Sequence, residues 1–174
     1  MSVDDIRSVS GCPFDRCVEK LLPGLCPVPE YLVQAVESGE RVSVERLHGR
    51  LYDGVSEGLT RLSSVYPLFL VSNCPAWYLD EFLSFTGLGE HFTACDCHGR
   101  SGVGKAEMLS GMLRRFGLKS AVYVGDTQGD HDAAKAAGLE FAFANYGFGS
   151  VEGARHKFAT FAGLVEYFMA HSPG

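Results

Sequence analysis

This sequence lacks the long apolar runs and the excess of basic residues that mark several large classes of protein. No stretch approaches the roughly 20 consecutive apolar residues of a membrane-spanning helix. The first residues show no basic segment followed by an apolar run, as a secretory signal would. The 174 residues carry 15 basic and 21 acidic side chains, a net charge of −6, whereas nucleic-acid binding favours a basic face. We therefore expect a cytoplasmic protein that has neither a membrane nor a nucleic acid as its partner.

The sequence also has too few cysteines for a disulfide scaffold, with six in a chain of this length. Cys95-Asp96-Cys97-His98 resembles half of a zinc site, but no second pair of ligands stands at a finger-like distance. We therefore expect Cys95 and Cys97 to be reduced thiols in a loop.

The character of the sequence changes near residue 50. The first 50 residues contain no convincing strand, and their apolar residues predict three short helices, at 13–22, 29–37 and 42–47. This region is too small and too weakly patterned to indicate more than a helical appendage.

From Tyr52 onward, predicted strands and helices alternate. Continuous apolar runs, which suit parallel strands covered on both faces, occur at 66–72, 121–124 and 141–144. Apolar residues at helical spacing predict helices at 75–85, 106–116, 130–137 and near the C-terminus, and Ser56 is a suitable N-cap for one more. Such alternation predicts an α/β fold, a three-layer sandwich around a parallel sheet.

Polar residues follow two of these strands. Ser72 and Asn73 end the first, and Gly125-Asp126-Thr127-Gln128-Gly129-Asp130 ends the second. Ligands of open α/β sheets bind at the carboxyl ends of the strands, and two carboxylates there can hold Mg²⁺. Lys105, at the start of a helix, would hold an anion.

The residues of this predicted site have two other interpretations. Asp126 and Asp130 could instead be a helix N-cap and a first-turn acid. Gly99-x-x-x-x-Gly104-Lys105 matches most of a phosphate-binding P-loop. However, Ala106 lacks the hydroxyl group that such a loop needs, and residues 91–97 make a poor leading strand.

In their order along the chain, Ser72, Lys105 and Gly125-Asp126-Thr127-x-x-Asp130 resemble the second, third and fourth motifs of the haloacid dehalogenase (HAD)-like hydrolases. Residues 133–138 and 145–149 resemble the phosphoglycolate-phosphatase-like branch of that superfamily. Tyr52-Asp53-Gly54-Val55 resembles the return from its helical cap to its core, and residues 3–23 resemble part of that cap. The resemblance therefore covers nearly the whole chain.

The resemblance implies a HAD-like Rossmannoid core over residues 51–174 and a partial helical cap over residues 1–50. It also implies Mg²⁺-dependent hydrolysis of a small phosphorylated metabolite, such as phosphoglycolate or a sugar phosphate. By the same match, Ser72 and Asn73 would bind the phosphoryl group and Lys105 would neutralise its charge. Asp126 would bind Mg²⁺ directly, and Asp130 would bind it either directly or through an intervening ligand.

The first motif of the family, an apolar strand that ends in Asp-x-Asp and supplies the nucleophile, has no counterpart in the sequence. Asp4 and Asp15 have no apolar strand ahead of them, and Asp53 resembles the second half of the motif but has Leu51 at the nucleophile position. In the family this strand lies between the strands that end at Ser72 and Asp126. We therefore expect those two strands either to pair directly or to leave unpaired backbone groups.

The simplest explanation is that sequence ahead of Met1 is missing, and we expect the chain as given to be inactive. The alternative is a non-catalytic relative that binds phosphate or a partner protein. The sequence does not indicate an oligomeric state.

Overall fold

The N-terminal region is helical. The computed structural model describes residues 2–9, 11, 12, 14–25 and 27–172, with the backbone alone at residues 3, 6, 7, 14 and 15. Three α-helices are present here: α1 (Val3–Ser8), α2 (Phe14–Leu21) and α3 (Glu30–Leu47). The predicted helix at 13–22 corresponds to α2, although Pro13 lies outside the described residues.

Helix α3 corrects one prediction, because the two short helices expected at 29–37 and 42–47 are one continuous helix through Gly39. A glycine inside a helix costs only about 1 kcal/mol. Arg41 also pairs with Glu45 across the next turn, at 2.9 Å, and Ser43 Oγ donates a hydrogen bond to the carbonyl oxygen of Gly39. The cost of one glycine is therefore too small to end the helix here.

The remainder of the described chain alternates between strands and helices, which confirms the predicted α/β fold. In chain order the elements are α4 (Val55–Ser63), β1 (Leu68–Ser72), α5 (Ala76–Thr86), β2 (Phe92–Cys97), α6 (His98–Ser101), α7 (Lys105–Phe116), β3 (Val122–Gly125), α8 (Gln128–Ala136), β4 (Glu140–Ala144), β5 (His156–Phe158) and α9 (Phe161–Ala170). The division into cap and core stays a prediction. None of the described helices combines the length and the apolar character that crossing a membrane requires.

Strand β2 is the largest correction to the predicted elements. Residues 91–97 were expected to make a poor strand and Cys95 and Cys97 to lie in a loop, yet both cysteines belong to β2. Cys97 is completely buried. The strand pairs in parallel with β1 over five register positions. Pairing with a neighbour overrides weak local propensity in strands, which explains why the local pattern was misleading.

Helix α4 begins differently from the prediction. Its N-cap is Gly54, which has a left-handed backbone with φ of 78°, and not Ser56. Glycine adopts that conformation without steric cost, so the chain turns into the helix two residues earlier than expected.

The strands form two parallel sheets, β1–β2 and β3–β4–β5. Within the described residues, β1 and β3 do not pair, so the second of the two predicted outcomes applies: each strand keeps an unpaired edge. The phenol of Tyr123 in β3 instead donates a hydrogen bond to the carbonyl oxygen of Val71 in β1, at 3.5 Å. The facing edges of β1 and β3 are therefore separated by about the length of one tyrosine side chain.

Helices cover both faces of this split sheet. On one face, α7 and α8 pack against each other, α7 contacting β1 and β2 and α8 contacting β3 and β4. On the other face, Leu164 and Val165 of α9 pack with Leu62 of α4 and contact both Leu68 in β1 and Phe158 in β5. Three layers result, with the carboxyl ends of β1 and β3 at the same edge.

Candidate functional site

Asp130 is the most heavily bonded side chain at the carboxyl edge of the sheets. It lies in the first turn of α8 and is 4% exposed. Its Oδ2 accepts hydrogen bonds from the backbone N–H groups of Asp126 and Thr127 and from the Thr127 hydroxyl group. Thr127 Oγ1 in turn accepts from the Asp130 N–H, which completes a capping box at the start of α8. The N-cap is therefore Thr127, and Asp130 is a first-turn acid.

The other carboxylate oxygen of Asp130 binds a lysine. Lys105 Nζ, at the first residue of α7, lies 2.5 Å from Asp130 Oδ1, and the Tyr123 hydroxyl donates to the same oxygen at 3.3 Å. The Lys105 and Asp130 side chains are only 12% and 5% exposed. The ion pair is therefore buried and rigidly placed, between two helices that begin at the same edge.

The environment of Asp130 keeps its carboxylate ionised. Burial alone would raise the pKa of Asp130, but the charge and hydrogen bond of Lys105, together with the hydrogen bonds of Thr127, outweigh it and hold the pKa below its ordinary value of 3.8. The same carboxylate acts on Tyr123, whose pKa is raised by burial first and by Asp130 and Asp126 next. Tyr123 therefore remains a neutral hydrogen-bond donor.

Asp126 follows the end of β3 and is held by the loop after β4. Its Oδ2 accepts a hydrogen bond from the Phe148 N–H at 2.8 Å. Its Oδ1 has no hydrogen-bond partner among the described residues. A Cβ atom added at Gly147 would lie 2.3 Å from Asp126 Oδ2. Any side chain at Gly147 would therefore displace the Asp126 carboxylate.

This contact gives a first prediction. Replacing Gly147 by alanine should weaken Mg²⁺ binding at Asp126, and the phosphate binding that depends on Mg²⁺, by about tenfold, as expected when a residue that orients a metal ligand is changed. The Gly147 backbone does not lie in the left-handed region, so alanine is opposed only by the contact with Asp126. Isothermal titration of Mg²⁺ and inorganic phosphate measures the effect.

Gly111→Ala is the matched control, because an added Cβ atom at Gly111 in α7 meets nothing within 4 Å. Equal affinities for the two variants would show that the Gly147 contact does not position Asp126.

Ser72 and Asn73 end β1 at the same edge. Ser72 Oγ accepts a hydrogen bond from the Cys74 N–H at 3.2 Å, which leaves its proton available to an anion. Asn73 Nδ2 donates to the carbonyl oxygen of Gly11 at 2.7 Å, while Asn73 Oδ1 is buried and has no partner among the described residues. A Cβ atom added at Gly11 would lie 3.4 Å from Thr127 Cγ2. The turn at Gly11 therefore lies between the two strand ends.

Several residues near the site were not expected from the sequence. Tyr146 packs edge-on against Tyr52, with ring centroids 5.1 Å apart. Burial, followed by the nearby Tyr52 and Asp126, raises the pKa of Tyr146 to about 12. Tyr123, Thr127 and Gly11 complete the unexpected set. Tyr52 and Tyr146 lie in segments that resemble the family, but without a role of their own, whereas Thr127 had a local signal, since Thr-x-x-Asp before a helix is close to a capping box.

The residues present fit a Mg²⁺ ion held by one protein carboxylate. Among the described residues, no three acidic, histidine or cysteine side chains are grouped as a metal site. Asp130 accepts two hydrogen bonds on Oδ1 and three on Oδ2, whereas Asp126 Oδ1 accepts none. Because Mg²⁺ commonly uses one or two carboxylates and completes its shell with water and substrate phosphate, Asp126 meets the requirement and Asp130 supports it. Direct binding of Mg²⁺ by Asp130 stays a prediction.

The family model described as haloacid dehalogenase-like hydrolase matches residues 1–144. No curated protein sequence matches the chain.

Solved structures share the fold. A predicted phosphoglycolate phosphatase from Haemophilus somnus superposes with a TM-score of 0.80 at 22% identity, over 96% of this chain and 83% of that one. A predicted phosphatase from Clostridium acetobutylicum gives 0.78 at 19% identity, over 97% and 82%. A protein named as a HAD hydrolase from Bacillus subtilis and described as bound to magnesium gives 0.59 at 19% identity, over 70% and 55%.

Proposed function

Because the chain belongs to the haloacid dehalogenase-like hydrolase family, we propose that its site binds a small phosphate monoester together with Mg²⁺. One observation carries this proposal: Lys105, Asp126 and Asp130 converge at the edge where β1 delivers Ser72. A cation, a free carboxylate oxygen and a hydroxyl donor are the groups that a phosphoryl group and its metal ion require.

Each residue has a distinct part in this proposal. The Ser72 hydroxyl donates to a phosphoryl oxygen, since its lone pair already accepts from the Cys74 N–H. Lys105 lies at the N-terminus of α7, where the helix dipole adds to its positive charge. Asp126, whose Oδ1 has no partner among the described residues, would hold Mg²⁺, and the bound ion would supply charge neutralisation to the phosphoryl group. Asp130 positions Lys105 and the Asp126 backbone.

The family and the names of two fold neighbours support the proposed substrate class. One neighbour is named as a predicted phosphoglycolate phosphatase and another is described as magnesium-bound. We propose a small phosphorylated metabolite, phosphoglycolate or a sugar phosphate, for this chain. A single phosphoryl anion suits the site, because Lys105 is the cation that the described residues place beside Asp126 and Asp130.

A binding role without turnover is the second candidate. Covalent phosphoryl transfer needs a carboxylate nucleophile in addition to the metal ligands. The carboxylates that follow β3 and begin α8, beside Lys105, are Asp126 and Asp130. Asp126 is held by Phe148, and Asp130 is saturated by its five donors. Because the free oxygen of Asp126 is assigned to Mg²⁺ in this proposal and Asp130 has no free oxygen, neither is left to act as a nucleophile, which supports phosphate binding without hydrolysis.

One experiment separates these candidates. Inorganic phosphate is titrated into the chain with and without Mg²⁺ at matched ionic strength, and hydrolysis of p-nitrophenyl phosphate is followed in parallel. We expect Mg²⁺ to raise phosphate affinity at least tenfold, equivalent to about 1.4 kcal/mol, and a chelator to reverse the gain.

Phosphate binding with turnover supports the hydrolase, and phosphate binding without turnover supports the second candidate. If phosphate fails to bind in the presence of Mg²⁺, the proposed site is wrong.

A further inference from the structure

Two cysteine thiols meet beside the end of β1 that carries Ser72. Strands β1 and β2 pair so that Ser72 lies opposite Cys97, the last residue of β2. Cys74 follows two residues after Ser72, between β1 and α5, and its carbonyl oxygen accepts a hydrogen bond from the Gly99 N–H at 3.1 Å. The Cys74 and Cys97 side chains are in hydrogen-bonding contact. Two thiols in contact are placed to close a disulfide bond.

The chain segments that carry the two thiols are packed closely together. A Cβ atom added at Gly99 in α6 would lie 2.7 Å from Pro75 Cα, closer than Cβ atoms approach other atoms in proteins. Cys97 is also fixed on its own side, because its N–H donates to Asp96 Oδ1 at 2.8 Å and its carbonyl oxygen accepts from Ser101 Oγ at 3.1 Å. The absence of a side chain at Gly99 therefore allows the approach that brings the thiols together.

The two thiols differ in their access to solvent. Cys74 is half-buried, whereas Cys97 is completely buried. Burial raises the pKa of the Cys74 thiol, and a hydrogen bond from the Ser72 hydroxyl group opposes that rise. Because the thiolate is the reactive form, the pair remains reduced until an oxidant reaches Cys74. A solvent-accessible cysteine beside a second cysteine that can resolve it is the usual arrangement of a reversible oxidation site.

We propose that Cys74 and Cys97 form a modification site at which hydrogen peroxide oxidises Cys74 and Cys97 then closes a disulfide. In the first step the Cys74 thiolate attacks one peroxide oxygen, the O–O bond breaks, and a sulfenic acid and water form. In the second step the Cys97 sulfur attacks the Cys74 sulfur, the S–O bond breaks, and the departing hydroxide takes up the Cys97 proton to form water. Two thiols are oxidised to one disulfide, and one peroxide is reduced to two water molecules.

The disulfide should weaken phosphate binding, a consequence that rests on the proposed function of Ser72. Cys97 belongs to a strand that is paired over five register positions, whereas Cys74 lies outside the strands, so closure of the bond moves Cys74. The Cys74 N–H donates to Ser72 Oγ at 3.2 Å, and this contact orients the hydroxyl group. We expect the phosphate dissociation constant to rise about tenfold, as when one hydrogen bond to a charged group is lost.

Mass spectrometry tests the disulfide without reference to phosphate. The reduced chain is treated with hydrogen peroxide, the remaining thiols are alkylated, and the chain is digested. We expect a linked pair of peptides that contain Cys74 and Cys97 and that a thiol reductant separates. Cys95→Ala is the matched control, because Cys95 also lies on β2 and burial also raises the pKa of its thiol. The link should form in that variant as before.

Cys97→Ala and Cys74→Ser each remove one partner, and neither variant should form the link. In Cys97→Ala the oxidised Cys74 has no resolving partner, so its sulfenic acid should accumulate and be trapped by dimedone. Cys74→Ser changes the half-buried position and provides the same comparison without a substitution in the core.

Absence of the link in the oxidised chain would overturn the proposal, as would pairing of Cys74 or Cys97 with any other cysteine. A link that leaves phosphate affinity unchanged would overturn the effect on Ser72. If the reduced chain does not bind phosphate, the proposed function is wrong, and the mass measurement still decides whether the two thiols form a disulfide.

Discussion

Replacing Asp126 by asparagine is expected to reduce Mg²⁺-dependent phosphate binding by about 100-fold, equivalent to ~2.7 kcal/mol. Asparagine has nearly the same shape, and its oxygen can still accept the hydrogen bond that the Phe148 N–H donates to Asp126 Oδ2. Its amide NH₂ group would then take the place of Oδ1, the carboxylate oxygen that has no partner among the described residues. A neutral donor in that place removes the charge that Mg²⁺ requires.

Asp132→Asn is the control for the Asp126 variant. Asp132 lies on the same helix as Asp130, its side chain is 66% exposed, and it bonds to Gln128 at the surface. We expect its affinity for phosphate to stay within about twofold of the original. Isothermal titration provides the comparison, and any hydrolysis of p-nitrophenyl phosphate should disappear only in the Asp126 variant. Retained Mg²⁺-dependent binding in Asp126→Asn would remove Asp126 from the site.

Replacing Lys105 by methionine is expected to lower the free energy of unfolding by about 3–5 kcal/mol, the usual cost of leaving one partner of a buried ion pair without the other. Methionine keeps the length and the apolar stem, so packing of α7 against α8 is preserved. The decrease in the free energy of unfolding then measures the cost of burying the Asp130 carboxylate without its partner, since the Asp130 side chain is only 5% exposed. Urea denaturation measures it.

The stability of the original chain and that of the Lys105→Met variant should depend on pH in opposite directions. In the original chain the pKa of Asp130 lies below 3.8, so the unfolded state binds more protons near that pH. This contribution to stability is complete above pH 3.8 and is lost as the pH falls below it. Without Lys105, burial dominates and raises the pKa of Asp130, so the variant should become less stable as the pH rises through the range above 3.8.

Two further variants test whether the unpaired, buried Asp130 charge causes the loss of stability. In the double variant Lys105→Met/Asp130→Asn the buried charge is absent, and we expect most of the lost stability to return and the reversed pH dependence to vanish. Arg41→Met removes an exposed ion pair, with side chains 59% and 47% accessible, and should cost less than about 1 kcal/mol. If Arg41→Met and Lys105→Met lowered the free energy of unfolding by similar amounts, burial of the Lys105–Asp130 pair would not be the cause of the loss.

The positions of the site residues were predictable because each of them stands at the end of an element. Ser72 ends a continuous apolar run, Lys105 begins a helix and Asp126 follows a buried strand, so parallel topology brings them to one edge. Their bonding was not predictable. The bond between Lys105 and Asp130 joins residues 25 positions apart, and it depends on how α7 packs against α8.

The elements that were missed have a common physical reason. β2 and the three-residue β5 have weak local patterns and gain their structure from pairing with β1 and β4. The continuity of α3 through Gly39 was missed because one glycine inside a helix costs only about 1 kcal/mol, which is too little to end it. The sequence left open whether β1 and β3 pair directly, because backbone hydrogen bonds depend on strand positions in three dimensions.

The contact between Asn73 and Gly11 joins two distant parts of the chain, because residue 73 ends β1 and residue 11 lies between α1 and α2. One amide group therefore responds both to the placement of the N-terminal turn and to whatever binds beside Ser72. Equilibria that share a group are coupled reciprocally: the free energy by which a ligand shifts the turn equals that by which the turn shifts ligand affinity. If a ligand beside Ser72 engages the Asn73 amide, the N-terminal turn and the carboxyl edge of the sheets are thermodynamically linked, even though α3 has no buried residue of its own.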